Sequence, residues 1–203
     1  MYSFSLPLSP SLSAILLADD FFPDMCDLAE GEKLIVQSSW SASRLKTFIL
    51  GRIAARLALS RLKIENKSIL KGQYGEPVWP AHIVGSISHK ENIAIAVVAN
   101  KDDYLGVGVD IEDASIELSQ KECLLFCTDN EIQNIRNQSQ IPINIFSRKE
   151  AFFKAFFSAY HKLCDWKELD VLSPRVSHIH KIDFQLFLHN QFLINLCLIQ
   201  CKD

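Results

Sequence analysis

The sequence predicts an α+β protein made of two similar halves, with the boundary near residues 100–104. Two long patterns of helical spacing, one in each half, and several short apolar runs of strand character support this prediction. Each half then contains helices and a small sheet, although the sequence itself shows no repeat. The N-terminal half is residues 1–103, and the C-terminal half, residues 104–203, carries the acidic motifs described below.

Helix starts and strand breaks define the elements. Helices are predicted from Ser41 or Ser43 to about Leu62, from Thr128 to about Arg136, and from Pro142 to about Tyr160. Strands are predicted at about 84–88, 93–98 and 106–112, and as a pair within 183–199 with a turn at Asn190. Because short polar turns separate the first three strands, we expect them to form an antiparallel meander.

Composition excludes several classes of protein. Hydrophobic residues make up 48% and charged residues 22% of the 203 residues, which is typical of a globular protein. The net charge of -3 gives no general attraction to nucleic acid or to an anionic membrane. No apolar run reaches the roughly 18–20 residues that span a bilayer. Residues 1–17 contain no Lys or Arg and are interrupted by prolines, so we expect no secretory signal and a cytoplasmic protein.

The six cysteines do not form a metal-binding or disulfide pattern. None belongs to a Cys-x-x-Cys pair, and no histidine follows at zinc spacing. We therefore expect buried thiols in a reducing compartment.

The segment Gly106–Glu112 combines two acids with two glycines on one predicted strand. Side chains alternate between the faces of a strand, so Asp110 and Glu112 share a face with Gly106 and Gly108. Two neighbouring carboxylates repel each other unless a cation lies between them, and such oxygen ligands suit Mg²⁺. The glycines would let a large ligand approach. A strand that ends in solvated acids has the same pattern.

The segment Phe146–Ala155 presents charged residues on one face of the last predicted helix. Glu150 and Lys154 lie four residues apart and therefore share a face, with Lys149 beside it. Glu150 suits a metal ligand or a general base, and Lys154 suits a phosphate contact. An exposed Glu–Lys pair on an amphipathic helix has the same spacing.

Basic residues in the N-terminal half could meet an anionic ligand. Arg44, Arg52 and Arg56 lie near one side of the first long helix, where they could bind phosphates or cover its apolar rim. His89 stands at a predicted strand end, where it could donate a hydrogen bond to a phosphate or serve a structural role.

Four segments, taken together and in this order, resemble the 4′-phosphopantetheinyl transferases. They are FILGRIAARLAL, GEPVWPAHIVGSISH, GVGVDIE and FSRKEAFFKA. The resemblance is closest to the enterobactin-synthetase-component type within the surfactin-synthetase-activating class, and it extends from about Arg44 to Ala155. Each motif alone is weak, whereas four motifs in the right order are specific.

The resemblance implies a pseudo-dimer of two α+β halves, with coenzyme A as substrate and Mg²⁺ in the cleft between the halves. It places Asp110, Glu112 and Glu150 on the metal. It also places Lys154 and Lys149 on the phosphates of coenzyme A.

The resemblance assigns ligand contacts to the N-terminal half as well. Arg44 and Arg52 match arginines expected near the 3′-phosphate of the nucleotide. Ser88 and His89 would meet the ligand, His89 at a phosphate, and the backbone of Gly75 would approach it.

Two positions depart from the family pattern. Phe146 stands where many relatives have Trp, although the enterobactin type has Phe. Glu76 stands where many relatives have Lys or Arg before the proline, which is why the contact is assigned to the backbone of Gly75.

The implied reaction transfers the phosphopantetheine arm of coenzyme A to a serine of an apo acyl, peptidyl or aryl carrier protein. The serine attacks the β-phosphate, and adenosine 3′,5′-bisphosphate leaves. Glu150, Lys154 and His89 form the implied catalytic set, with Glu150 taking the serine proton directly or through a water and Lys154 stabilising charge. The family type implies a monomer that serves siderophore, nonribosomal peptide or polyketide synthesis.

Other interpretations stay open from the sequence. A Mg²⁺-dependent hydrolase of phosphate esters or anhydrides could use the same three carboxylates, and a scaffold could keep the fold without turnover. If a carrier protein docks, residues 111–136, between the two acidic motifs, are the expected surface.

Overall fold

The computed structural model describes residues 3–5, 10–17, 23–65, 68–174 and 181–201. The chain divides into two compact units, residues 1–103 and residues 104–203. Each unit contains an antiparallel sheet with a long helix packed on it, so the mixed helix-and-sheet class is as predicted. None of the helices in the described residues is long and apolar enough to cross a membrane.

The first unit is a four-stranded sheet with a 20-residue helix on it. Its elements are β1 (Ser3–Ser5), β2 (Leu12–Leu17), a 3₁₀ turn (Met25–Asp27), α1 (Glu30–Lys33), α2 (Ala42–Arg61), β3 (Leu70–Lys71), β4 (Pro77–Val78), β5 (Ile83–Lys90) and β6 (Ile93–Asn100). The strand order is β1-β2-β6-β5, and β3 pairs with β4 in a separate small hairpin.

Strand β2 was absent from the predicted elements. All six of its residues are buried, so its sequence, which is apolar except for Ser13, lacks the alternation of a half-exposed strand. Helix α2, in contrast, begins where predicted, because the Ser41 side chain accepts a hydrogen bond from the Arg44 backbone N–H (3.2 Å). Its apolar side chains pack on β2, β5 and β6.

The second unit is a three-stranded antiparallel sheet covered by a 19-residue helix. Its elements are β7 (Tyr104–Asp113), α3 (Gln120–Phe126), α4 (Asp129–Arg136), α5 (Pro142–Tyr160), β8 (Ile182–His189) and β9 (Phe192–Gln200). The predicted capping box of α4, the proline at the start of α5 and the turn at Asn190 are all confirmed. Helix α3 was absent from the predicted elements.

The predicted three-stranded meander is wrong in its third strand. Strands β5 and β6 form the expected hairpin, but β7 belongs to the second sheet and pairs with β9. The almost wholly apolar β9 offers β7 a partner along its full length, with Asp110 opposite Asn195. The two units share one pairing pattern. In each, the first long strand pairs with the second strand of the final hairpin: β2 pairs with β6 in the first unit, and β7 pairs with β9 in the second.

The glycines of β7 lie against helix α5. A Cβ at Gly106 would overlap the carbonyl oxygen of Ala155, and a Cβ at Gly108 would overlap that of Ala151. The expectation that these glycines open the strand to a large ligand is therefore wrong, because the backbone of α5 already fills that space. Alanines at 151 and 155 complete this close contact between helix and strand.

We predict that Gly108→Ala destabilises the second unit. The added methyl group cannot be accommodated unless α5 moves away from β7, and overpacking of this kind costs about 1–3 kcal/mol or more. Thermal unfolding measures the loss. Gly31→Ala is the matched control, since its Cβ would first meet the Leu70 side chain at 3.0 Å, and Leu70 is exposed. Equal melting temperatures for the two variants would contradict this account of β7.

Candidate functional site

A cluster of acids and one lysine lies where α5 crosses β7. Asp110 is only 5% exposed, and its Oδ1 accepts a hydrogen bond from Lys154 Nζ at 2.7 Å. The same ammonium group donates to the Val109 carbonyl oxygen at 3.1 Å and lies 4.0 Å from Glu150 Oε2. The structure therefore brings together three of the predicted site residues, Asp110, Glu150 and Lys154.

The charge of Glu112, the third predicted acid, also acts on Glu150. Burial raises the pKa of the Glu150 carboxyl, Lys154 opposes this rise, and the charges of Asp110 and Glu112 add to it. Asp110, Glu112 and Glu150 thus influence one another electrostatically, and the ammonium group of Lys154 acts on the same region. Mutual repulsion between neighbouring carboxylates is relieved when a cation binds them.

The donor set fits a hard divalent cation. Three carboxylates supply the oxygen ligands that Mg²⁺ prefers, and a part-buried position strengthens their attraction for it. In the described part of the chain, no three His, Cys, Asp or Glu side chains are already grouped closely enough to hold a metal. Metal binding would therefore require Asp110, Glu112 and Glu150 to converge.

Lys149 was predicted to contact a phosphate, but its side chain lies in the interior of the second unit. Its side chain is 1% exposed, and its Nζ lies 2.9 Å from Glu131 Oε2. The same Nζ donates to the carbonyl oxygens of Trp166 (2.6 Å) and Leu169 (2.5 Å). Because three protein acceptors account for its three N–H donors, Lys149 stabilises the interior of the second unit and is left out of the ligand set proposed below.

Glu131 is the centre of this buried group. It is fully buried, and its Oε2 also accepts the backbone N–H of Thr128 (2.8 Å), which caps α4. Its Oε1 accepts the backbone N–H of Val171, 40 residues later (2.8 Å). One carboxylate therefore joins α4, α5 and the segment after α5.

The first unit contains an equivalent group. Glu32 is fully buried, its Oε2 accepts the Ala29 backbone N–H (3.0 Å), and its Oε1 accepts the Ile69 backbone N–H (2.8 Å). Its cation is Arg56 of α2, which also donates to the Asp27 carbonyl oxygen. Because the guanidinium of Arg56 is bonded inside the unit, Arg56 is left out of the ligand set proposed below.

Basic residues line a surface cavity in the first unit. Arg44 and Arg52 of α2 line it, together with Lys71, His89 and the backbone of Gly75, whose φ of 95° is accessible mainly to glycine. Among the sequence-predicted residues of this unit, four thus share one cavity. The cavity suits an anion.

Ser88 does not line this cavity. It is buried on β5, and the alternation of the strand turns it away from the face of its neighbour His89. Its expected ligand contact stays a prediction.

Sequence reasoning missed Lys71 and Glu131. Lys71 is the last residue of β3, and its position next to Gly72 and ahead of Gly75 was the available signal. Glu131 was recognised only as a capping residue, because its pairing with a lysine 18 positions later depends on tertiary structure.

Two family models match the chain. The model described as the 4′-phosphopantetheinyl transferase N-terminal domain matches residues 30–99, and the model of the 4′-phosphopantetheinyl transferase superfamily matches residues 106–198. The first match contains the basic cavity and the second contains the acidic cluster.

Three relatives are similar to this chain over different shares of their own length. The 4′-phosphopantetheinyl transferase PptT of Mycobacterium tuberculosis is 41% identical over 90 residues, which is 44% of this chain and 39% of PptT. Npt of Nocardia iowensis is 33% identical over 62% of this chain and 57% of its own. Enterobactin synthase component D of Escherichia coli K12 is 28% identical over 73% of this chain and 74% of its own. The chain thus spans about half the length of PptT and Npt.

We predict that Lys149→Met lowers stability much more than the loss of an exposed lysine. The variant leaves the carboxylate of Glu131 buried without its cation, which costs about 3–5 kcal/mol. Urea denaturation measures the difference, with Lys162→Met, at an exposed position, as control. If both variants unfold at the same urea concentration, Lys149 is not the structural residue described here.

Proposed function

Because the chain belongs to the 4′-phosphopantetheinyl transferase superfamily, we propose that it transfers the phosphopantetheine arm of coenzyme A to a serine of an apo carrier protein. Adenosine 3′,5′-bisphosphate is the second product. The proposed acceptor is an acyl, peptidyl or aryl carrier, as siderophore, nonribosomal peptide or polyketide synthesis would require.

The observation that carries this proposal is the acidic cluster with its lysine. Lys154 Nζ is 2.7 Å from Asp110 Oδ1 and 4.0 Å from Glu150 Oε2, within the segment that matches the superfamily model. A diphosphate would bring negative charge to this region, so a cationic group must already be held there. Lys154 meets that need.

Asp110, Glu112 and Glu150 are the proposed ligands of a Mg²⁺ ion. When bound, Mg²⁺ supplies charge neutralisation at the diphosphate. The half-buried Glu150 is also the proposed acceptor of the serine proton, directly or through a water. Burial favours this role, because it raises the pKa of the Glu150 carboxyl and with it the basicity of the carboxylate.

The basic cavity of the first unit is the proposed site of the nucleotide phosphates. Arg52 is 6% exposed, and within the described residues its Nε has no hydrogen-bond acceptor. A buried guanidinium with an unused donor is stabilised when an anion binds. Arg44 and Lys71 line the same cavity, and His89 is the proposed donor to a phosphate oxygen.

Helix α3 is the proposed docking surface for the carrier. Leu125 is 76% exposed, and Leu124 beside it is also exposed. Lys121 lies one turn before Leu125 on the same helix and is exposed, so the surface combines two exposed leucines with one basic group. Such a surface suits an acidic amphipathic helix.

The decisive assay incubates the protein with coenzyme A, Mg²⁺ and an apo carrier protein, and measures the carrier by mass spectrometry. We expect one added phosphopantetheine arm, absent from a carrier whose acceptor serine is alanine. Carriers of fatty-acid, peptide and polyketide synthesis should each be tried. If none is modified, the proposal fails, and release of phosphopantetheine without a carrier would identify a hydrolase instead.

We predict that Asp110→Asn and Glu150→Gln each lower the rate of arm transfer by at least about 100-fold, because each removes a charge from the proposed metal and proton-transfer site. Single-turnover kinetics with excess Mg²⁺ measures the rate. Asp113→Asn is the matched control, since Asp113 lies on the same strand and accepts hydrogen bonds from Ser115 and Gln191 instead. Full activity of both site variants would remove these two residues from the mechanism.

We predict that Leu125→Asp weakens use of the carrier without altering use of coenzyme A. A carboxylate at the centre of the proposed surface repels an acidic carrier helix, so the KM for the carrier should rise about tenfold or more. The control is Leu188→Asp, since Leu188 is 74% exposed on β8. An equal rise for the two variants would place the docking surface elsewhere.

A further inference from the structure

Two aromatic rings and two guanidinium groups alternate along one face of α2. The first ring belongs to Trp40, which lies just before the helix, and the other three groups lie on the helix itself. The guanidinium carbon of Arg44 lies over the Trp40 ring, 5.0 Å from its centroid, and that of Arg52 lies over the Phe48 ring, 4.5 Å from its centroid. The rings of Trp40 and Phe48 meet edge to face at 5.1 Å. We call these four residues the arginine–aromatic ladder.

The four-residue spacing of the sequence produces the ladder. Residues 40, 44, 48 and 52 come to one side when the chain is helical from Ala42 onward. Helical side chains lean towards the N-terminus, so each arginine reaches back over the aromatic residue one turn earlier. All four side chains line the basic cavity.

Two features of the ladder favour the binding of an anion. Arg44 lies in the first turn of α2, where the helix dipole disfavours a cation, and that turn contains no acidic residue. Burial is the main cause that lowers the pKa of Arg52 to about 10, so at neutral pH the buried guanidinium is still charged. Both cations line one cavity, and Arg52 has a buried Nε that lacks an acceptor within the described residues. Cations arranged in this way indicate a phosphate ligand.

We propose that Trp40 and Phe48 are positioning residues, which hold the guanidinium groups of Arg44 and Arg52 in place for a terminal phosphomonoester. This inference rests on the proposed function, in which that group is the 3′-phosphate of coenzyme A. Each ring fixes the plane of one guanidinium by a cation–π contact, so that the N–H donors face the cavity before the ligand arrives. The aromatic residues thereby set the preference for ligands that carry the phosphomonoester.

The test compares binding of adenosine 3′,5′-bisphosphate with binding of adenosine 5′-monophosphate by isothermal titration calorimetry. We expect the wild-type protein to prefer the bisphosphate. This preference is the dissociation constant of the monophosphate divided by that of the bisphosphate. Phe48→Leu and Trp40→Leu should each reduce this ratio about three- to tenfold, because the bisphosphate binds more weakly while binding of the monophosphate changes little. The assay needs no turnover, so it stays informative even if no carrier is ever modified.

Two controls separate positioning from general loss of structure. Phe48→Tyr keeps the ring and should keep the wild-type ratio. Ile53→Ala removes a buried side chain of α2 that does not line the cavity, so it should lower stability but leave the ratio unchanged. A wild-type protein without preference for the bisphosphate, or leucine variants with an unchanged ratio, would overturn the proposal.

Discussion

The second unit depends on how closely α5 approaches β7. Gly106 and Gly108 leave no Cβ on the strand, and the small alanines of α5 let the two backbones come together. This approach sets the height of α5 above the strand, and it lets Lys154 reach both the Val109 carbonyl oxygen and Asp110. With larger side chains at the two glycines, the charged face of α5 would be lifted away from the acids of the strand.

Buried carboxylates hold the helices at that position. Glu131 caps α4, binds the segment after α5 and pairs with Lys149, the residue immediately before Glu150. In the first unit Glu32 performs the same three tasks, with Arg56 of α2 as its cation. The two long helices, which carry the acidic cluster's lysine and the arginine–aromatic ladder, are thus each anchored from inside by one glutamate. A charge that is buried and multiply bonded specifies one arrangement of its neighbours.

Sequence patterns predicted the local features well, because these depend on residues close together in the chain. The cap at Ser41, the capping box at Thr128 and the proline at the start of α5 each act within one helical turn. Partners distant in sequence were not predictable in the same way. The pairing of β7 with β9 was missed, and so was the burial of Lys149, since a lysine in a charged motif looks the same whether its partner is a phosphate or an internal glutamate.

We propose that Asp110, Glu112 and Glu150 hold one divalent cation together with coenzyme A. Electron paramagnetic resonance of Mn²⁺, a spin-active substitute for Mg²⁺, counts bound ions directly when the protein is titrated in the presence of coenzyme A. We expect one bound Mn²⁺ per chain, which Mg²⁺ displaces and whose binding Asp110→Asn greatly weakens. Absence of bound Mn²⁺, or binding that Asp110→Asn leaves unchanged, would contradict it.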